Sequence, residues 1–358
     1  MWLVGIGGQN EIPVKNRIPS LDGLRGIAAL AVMAFHFNIF FLPQAGLPFV
    51  GRAYLAVDLF FLLSGFVMAH VYGRELASNW RAHWPKFAIA RFARIYPLFA
   101  LTMLAMTTVV SLSDTRLRFV SFSGWSLALQ PFLLQQWSGL SWNYPSWSIS
   151  TEAEAYIFFV FSAGLLVTGK HPRLMAASCV AILAALCIAN GGDLNLYSGI
   201  SALLRTLSEF SLGALLCRAY SVHVGFPRAW AVILAVMFVG LATITDLDFL
   251  IVGAIGCLIY YGVNATDAFG RLLNSRPSVT LGNWSYSIYL WQAPTHYAVM
   301  AAFAAYGHPV GDLGRWSARL LLLATTLAVI SLSAFSYQYF ETRARRSIVL
   351  HASTIRLT

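Results

Sequence analysis

The sequence predicts an all-α, polytopic integral membrane protein with about ten transmembrane helices, and two observations support this prediction. Of the 358 residues, 58% are hydrophobic and only 11% are charged, whereas soluble domains have about 45–50% and about 25%. The apolar residues also fall into stretches of about 17–25 residues, the length at which an α-helix crosses a hydrocarbon core of about 30 Å. A soluble fold would need a far more polar surface.

The predicted helices follow from the apolar windows of the chain. These windows cover residues 20–42, 52–73, 92–112, 146–168, 173–190, 197–217, 227–245, 248–264, 282–305 and 315–341. The apolar stretch 121–137 contains Pro131 and a pair of glutamines, so we interpret it as interfacial or re-entrant rather than as a span. Because no internal repeat or long linker is evident, we expect one membrane domain over residues 1–358 and no additional soluble domain.

The orientation follows from the distribution of lysine and arginine. If the N-terminus is cytoplasmic, most basic residues between the spans face the cytoplasm, including Lys86, Arg91 and Arg94, and few face outward. This positive-inside bias predicts that both termini are cytoplasmic. It also accounts for nearly all of the net charge of +10, so the charge indicates a protein in a lipid bilayer and does not call for a nucleic-acid partner.

Cysteine and histidine spacing predicts neither a disulfide framework nor a metal site. The four cysteines all lie in apolar stretches, at positions 179, 187, 217 and 257. There is no Cys-x-x-Cys pair and no paired histidine motif in the sequence. We therefore interpret the cysteines as small core residues.

Ionisable residues within the predicted spans are the candidate functional residues, because each costs about 2.5–3.5 kcal/mol to insert. Arg25 and His36 are eleven residues apart in the first span, which places both on one helix face about 16 Å apart. At about 1.5 Å per residue, four ionisable groups reach a similar depth in the outer half of the membrane. These groups are His36, Asp58, Glu152 and Arg205. A histidine level with a carboxylate is typical of a general base with its partner.

Structural roles remain open for three of these four groups. Arg205 and Glu209 are i,i+4 partners that can neutralise each other, and Asp58 is placed to cap the start of its helix. A single buried His36 is also typical of a core side chain with satisfied hydrogen bonds. A proton-coupled transporter would use the same buried groups.

Seven segments carry a further pattern along nearly the whole chain. The opening RIPSLDGLRGIAALAVMAFHF holds Arg25 and His36 with ten residues between them, and WSISTEAEAYIFF (147–159) holds Glu152. The others are VDLFFLLSGFVM (57–68), KFAIARFARIYPLF (86–99), LLRTLSEFSLGALL (203–216), LGNWSYSIYLWQAP (281–294) and YQYFETRARR (337–346). In this order they resemble the membrane-bound acyltransferase 3 family, bacterial enzymes that O-acylate surface polysaccharides, peptidoglycan and other acceptors.

The chain departs from the family pattern at two places. Gln292 stands where family members commonly have a histidine after Tyr-Leu-Trp, so any role of that histidine is lost here or passes to His296. The family's closing Glu-Lys-Pro reads Glu341, Thr342 and Arg343. We interpret that end of the chain as structural.

The resemblance implies transfer of an acyl group, with acetyl as the expected group, from acyl-CoA to a hydroxyl of a carbohydrate at the bacterial inner membrane. Acyl-CoA is then a co-substrate, and no permanently bound cofactor is expected. We expect Arg25 to lie along the pantetheine arm. Arg91 and Arg94 are the expected contacts of the CoA phosphates, which guanidinium groups bind bidentately. Ordinary positive-inside anchoring is the alternative for these two arginines.

The resemblance also assigns roles at the expected catalytic centre. His36 is the expected general base toward the acceptor hydroxyl, and Glu152 either holds the imidazole tautomer or binds the acceptor. Asp58 and Arg205 are expected to support this site. The candidate oxyanion donors are Ser64, Ser148 and Ser150. Direct transfer and a covalent acyl-histidine both fit, and a proton-coupled transporter or an acyl-relay component remains an alternative function.

Overall fold

The computed structural model describes residues 17–41, 50–113, 124–222, 228–307 and 310–355. Most of these residues are helical and none of them forms a β-strand, as the sequence predicts. Their α-helices, numbered in chain order, are α1 (Pro19–Phe41), α2 (Ala56–Leu112), α3 (Gly124–Leu129), α4 (Trp147–Thr168), α5 (Pro172–Ala189), α6 (Gly199–Ser221), α7 (Arg228–Thr245), α8 (Phe249–Asn264), α9 (Ala268–Leu273), α10 (Arg276–Ala305), α11 (Arg315–Ser336) and α12 (Thr342–Ile355).

Six helical segments of the described residues are long and apolar enough to cross a membrane. They are Pro19–Phe41, Ala53–Leu112, Tyr144–Thr168, Pro172–Ala189, Gly199–Ser221 and Arg315–Ala352. Two shorter apolar helices follow in α7 and α8. The protein is therefore a multi-pass membrane protein, while the number of ten spans and the cytoplasmic placement of both termini remain predictions.

All ten predicted windows coincide with helices apart from residues at their edges, and positions 42 and 227 lie outside the described residues. Two windows, 52–73 and 92–112, share α2, so the basic loop expected between them is helical instead. The helix breaks at Asn79, where φ is −158° and ψ is 86°. Asn79 Oδ1 accepts a hydrogen bond from the Ala82 backbone N–H at 3.3 Å, as an N-cap does. A second helical part therefore starts here without an intervening loop.

The helices α1 and α10 run in the same direction and touch along their length. A Cβ added at Gly26 would lie 2.7 Å from the backbone nitrogen of Gly282, so the two backbones meet there. Ten residues further along each helix, His36 hydrogen-bonds Gln292, at a separation of 256 in the sequence. The glycine pair has the same separation, which means that the two helices are parallel and in register.

A second close contact joins α2 to α6. A Cβ added at Gly65 would lie 1.9 Å from the Phe210 carbonyl oxygen, and one at Gly213 would lie 2.0 Å from the Leu62 carbonyl oxygen. Only glycine permits two helix backbones to approach this closely in a membrane bundle. The contact fixes the part of α2 that carries Ser64, which faces α4.

The stretch 121–137 does not form a span in the part that the structure describes, which begins at Gly124. It consists of the short α3 followed by 3-10 turns at Gln130–Phe132 and Gln135–Ser138. The Gln135 side chain donates to the Ser146 carbonyl oxygen at 2.7 Å. This bond anchors the stretch against the start of α4.

Candidate active site

A cavity of about 210 Å³ lies between α1, α2, α4 and α10. Its wall brings together six of the ten residues that the sequence predicts for the site: Arg25, Ser64, Arg91, Arg94, Ser148 and Glu152. Its wall also contains residues outside that prediction, among them Arg17, Asp22, Tyr156, Tyr286, Tyr289 and Arg345. The other four, His36, Asp58, Ser150 and Arg205, do not line the cavity.

The wall of the cavity carries a net positive charge. Five arginines line it, at positions 17, 25, 91, 94 and 345, against two carboxylates, Asp22 and Glu152. Asp22 pairs with Arg17 at 2.7 Å and with Arg25 at 3.4 Å. The excess of guanidinium groups suits a polyanionic ligand, because arginine binds phosphate oxygens with charge-assisted hydrogen bonds.

Two of these arginines are held in place by other side chains. The Arg91 guanidinium lies 5.2 Å from the Tyr72 ring and donates to the Tyr72 hydroxyl at 3.2 Å. Arg94 donates to Glu341 at 3.3 Å and lies 5.3 Å from the Tyr286 ring. Glu341 is buried and also accepts a hydrogen bond from Ser287. Both arginines therefore present their charge to the cavity from fixed positions.

Glu152 is clamped in the cavity wall by two hydroxyl groups. Ser64 Oγ and Tyr156 Oη each donate to Glu152 Oε1 at 2.6 Å. The Tyr156 ring also lies 5.9 Å from the Arg91 guanidinium. The carboxylate is thus connected to the cationic part of the wall.

His36 is oriented by Gln292. The His36 Nδ1 atom lies 3.1 Å from Gln292 Oε1, and Gln292 Nε2 donates to the Tyr289 carbonyl oxygen at 2.8 Å. Because the amide nitrogen faces a carbonyl, Oε1 must be the acceptor for the imidazole. The hydrogen-bond network therefore assigns the proton of the neutral ring to Nδ1 and the lone pair to Nε2. The expectation that Glu152 holds this tautomer is wrong, since Glu152 is engaged by Ser64 and Tyr156.

Tyr289 belongs to the cavity wall and also binds the partner of His36. Its side chain lines the cavity, and its ring centroid lies 5.7 Å from that of Phe60. Its hydroxyl donates to the Pro145 carbonyl oxygen at 2.9 Å. Since its backbone carbonyl holds Gln292, this one residue of α10 connects the two parts of the site.

The serines expected as oxyanion donors have their hydroxyl hydrogens engaged. Ser64 donates to the clamped carboxylate, and Ser150 donates to the Leu133 carbonyl oxygen at 2.6 Å. Ser148 Oγ lies 2.7 Å from Tyr289 Oη. The Ser148 hydroxyl hydrogen goes either to Tyr289 Oη or to the Pro145 carbonyl oxygen, which lies 3.3 Å away. In this conformation, none of the three offers a hydroxyl hydrogen to a substrate.

Asp58 and Arg205 form a buried ion pair away from the cavity. Arg205 donates to Asp58 at 3.0 and 2.6 Å, and the two side chains are 1% and 0% exposed. Arg205 also lies 3.5 Å from Glu209 and 5.7 Å from the Trp147 ring at the start of α4. The expectation that Asp58 caps α2 is wrong, because the guanidinium takes its carboxylate and the helix start has no side-chain cap. Of the four groups predicted at a similar depth, Arg205 and Asp58 pair with each other, whereas Glu152 and His36 have separate partners.

The prediction from the sequence missed Gln292, Tyr289, Arg17 and Arg345 as parts of the site. Gln292 stood out only as a departure from the family pattern. Arg345 belongs to the basic run at the end of the chain, and nothing in that run distinguishes the one arginine that lines the cavity. Among the described residues, no three His, Cys, Asp or Glu side chains are arranged to hold a metal ion.

Comparison with known proteins finds similar proteins, some of which are named as O-acetyltransferases. Protein 2 in the picA locus of Rhizobium radiobacter is 32% identical over 183 residues, which are 46% of this chain and 92% of that protein. O-acetyltransferase OatA of Staphylococcus aureus (strain NCTC 8325 / PS 47) is 22% identical over 92% of this chain and 57% of its own length. The putative peptidoglycan O-acetyltransferase YrhL of Bacillus subtilis (strain 168) is 24% identical over 90% of this chain and 54% of its own length.

The chain thus spans just over half the length of these two O-acetyltransferases. No solved structure is significantly similar to it. The acyltransferase 3 family, described as an acyltransferase domain, matches residues 18–335. This match includes α1 to α10 and nearly all of α11, and with them Glu152, His36 and Gln292. The chain belongs to the acyltransferase 3 family.

Proposed function

We propose that this protein is an O-acyltransferase of the bacterial inner membrane that transfers an acyl group, acetyl in the first instance, from acyl-CoA to a carbohydrate hydroxyl. The observation that supports this most directly is the arginine-lined cavity between α1, α2, α4 and α10. The printed names of two relatives, both O-acetyltransferases, agree with O-acylation. Direct transfer, without an acyl-enzyme intermediate, is the mechanism proposed for this site.

The cavity is the proposed donor site. Its five arginines match the phosphates of CoA in charge, and the fixed guanidinium groups of Arg91 and Arg94 are the proposed phosphate contacts. The pantetheine arm then passes Arg25 towards Ser148 and Tyr289. Glu152 lines this path, and its carboxylate accepts hydrogen bonds, as the amide N–H groups of pantetheine require.

Transfer then takes place next to His36. The acceptor oxygen attacks the thioester carbonyl carbon while its proton passes to His36 Nε2, and the carbon–sulfur bond breaks. The CoA thiolate takes that proton from His36, so the products are the ester and the CoA thiol. The side-chain amide oxygen of Gln292, Oε1, accepts a hydrogen bond from His36 Nδ1 throughout and stabilises the imidazolium. Such help from a general base is worth about 10²–10⁴ in rate.

In the proposed mechanism, the thioester reaches His36 only when the Tyr289 side chain moves aside. Its hydroxyl is held by Pro145 and Ser148, and its ring packs against Phe60. A change of Tyr289 rotamer breaks two hydrogen bonds and opens the cavity towards Gln292. The proposed mechanism therefore includes movement of this side chain on donor binding.

The proposal is tested by CoA release from radiolabelled acetyl-CoA with the full-length protein purified in lipid nanodiscs. Wild type is compared with His36→Ala, and the exposed His171→Ala is the matched control. Release that falls to background in His36→Ala alone supports the proposal. Equal release in wild type and His36→Ala removes His36 from the mechanism. No release from wild type with any acyl-CoA, even with membrane glycans present, favours the proton-coupled transporter.

A further inference from the structure

A group of side chains beyond Tyr289 has no part in the proposed donor site. We call it the outer compartment, and it consists of His36, Phe40, Tyr144, His296 and Tyr297. The Tyr144 ring centroid lies 4.6 Å from that of His36 and 6.2 Å from that of His296. Phe40 stacks on His296 with the ring centroids 4.1 Å apart. These rings come from α1, α10 and the turn before α4.

Two members of the outer compartment have unused hydrogen-bonding capacity. His296 is 0% exposed, and neither Nδ1 nor Nε2 has a hydrogen-bond partner among the described residues. The Tyr144 hydroxyl is also buried and has no partner there. Buried polar side chains without partners are few in native proteins, and each calls for an explanation. Their proximity to each other, with Tyr144 against the His36 ring, indicates a ligand that supplies the missing hydrogen bonds.

The outer compartment lies at the opposite end of α1 from the arginines. Arg25 is near the start of this helix, whereas His36 is five residues from its end at Phe41. The two side chains are about 16 Å apart along the axis. Tyr144 comes three residues before α4 begins at Trp147. Tyr289 thus links the two, since it lines the donor cavity and its hydroxyl binds the carbonyl of Pro145, the residue after Tyr144.

We propose that the outer compartment is the subsite for the acceptor carbohydrate, with His296 and Tyr144 as the residues that bind it. This inference rests on the proposed function. A hydroxyl group both donates and accepts, and a neutral imidazole offers one N–H and one lone pair, so His296 matches it on both atoms. The Tyr144 hydroxyl adds a further donor. Together they hold a neighbouring hydroxyl of the sugar and present the reacting hydroxyl to His36 Nε2.

The walls of the outer compartment fit the same class of ligand. The aromatic rings of Phe40, Tyr144 and Tyr297 surround these polar atoms, and in the proposed complex they contact the C–H face of a pyranose. A few polar atoms among aromatic walls are typical of small-molecule sites. The deep burial of His296 also makes the subsite selective for ligands with hydroxyl groups. A ligand without hydroxyls would leave the buried imidazole nitrogens unpaired and is therefore rejected.

The test is a steady-state kinetic comparison with acetyl-CoA as donor and methyl β-D-glucopyranoside as acceptor, using the full-length protein in nanodiscs. His296→Phe keeps the ring packing and removes both nitrogens, Tyr144→Phe removes a single oxygen, and the exposed His171→Phe is the control. We expect His296→Phe to raise the KM for the glucoside about tenfold or more, and Tyr144→Phe about three- to tenfold. The KM for acetyl-CoA should change less than twofold in both. His296→Gln, which keeps a donor and an acceptor, should restore part of the affinity.

Each result bears on one of the two proposals. An unchanged KM for the glucoside in both variants overturns the acceptor subsite. Release of CoA that depends on His36 but is not accelerated by the glucoside also overturns the carbohydrate subsite and leaves the acyltransferase intact. No release from wild type overturns both proposals together. If His296→Phe fails to fold, the KM of Tyr144→Phe for the glucoside decides the test.

Discussion

His36 and Gln292 meet because α1 and α10 run parallel at a constant sequence offset. Gly26 lies against Gly282, and ten residues later His36 Nδ1 lies 3.1 Å from Gln292 Oε1. The close glycine contact fixes the register of the two helices, and the register in turn selects the partner of the imidazole. A residue that departs from the family pattern thereby orients the proposed base.

Replacing Gln292 with leucine should lower kcat by about tenfold or more. The loss should not exceed the factor of about 10²–10⁴ that a general base contributes in total. The physical reason is the loss of the acceptor that holds the proton on His36 Nδ1. The KM for acetyl-CoA should change little, since Gln292 does not line the donor cavity. Gln292→Glu keeps an acceptor oxygen and should turn over faster than Gln292→Leu. Full turnover by the leucine variant would show that the amide does not position the ring.

Replacing Arg94 with glutamine should raise the KM for acetyl-CoA about tenfold or more, because a charge-assisted hydrogen bond contributes about 1.5–3 kcal/mol. Arg94 lines the cavity and is fixed by Glu341 and Tyr286. The exposed Arg271→Gln on α9 removes the same charge away from the cavity and is the matched control. Initial-rate measurements over a range of acetyl-CoA concentrations decide the matter. Equal KM values for the two variants would remove Arg94 from the donor site.

The two partners of the buried ion pair should differ in their effect on stability. Arg205→Met leaves the carboxylates of Asp58 and Glu209 buried without a counter-charge, and breaking a buried pair in this way costs about 3–5 kcal/mol. Asp58→Asn costs less, because Arg205 retains Glu209 at 3.5 Å. Thermal unfolding in nanodiscs measures the order. A larger loss for Asp58→Asn would contradict this account of the charge balance.

The glycine contact between α2 and α6 should tolerate no side chain. In Gly213→Ala the new Cβ would lie 2.0 Å from the Leu62 carbonyl oxygen, so the helices must separate, at a cost of about 1–3 kcal/mol or more. Gly256→Ala on α8 is the control, since nothing lies within 4 Å of its added Cβ. The yield of folded protein and its unfolding temperature test this. Equal stability of the two variants would mean that the helices are less tightly packed.

Much of the architecture was predictable because it depends on local properties of the chain. Apolar windows coincide with the helices, since about 17–25 apolar residues in a membrane satisfy their backbone groups only as a helix. The basic residues around Arg91 and Arg94 marked the cationic wall, because clustered like charges need an anionic partner or water. The helical segment around Asn79 escaped prediction, because a polar stretch between two spans forms a loop or a helix with similar ease.

The sequence by itself determined the helices and the spacing of the ionisable groups along each of them, because rise and period along a helix are set by its own backbone. Only the tertiary structure decided which of these groups become neighbours, since that depends on how neighbouring helices pack and turn. Arg205 therefore pairs with Asp58, Glu152 binds Ser64, and His36 binds Gln292. Position along the axis is a property of one helix, whereas contact is a property of two.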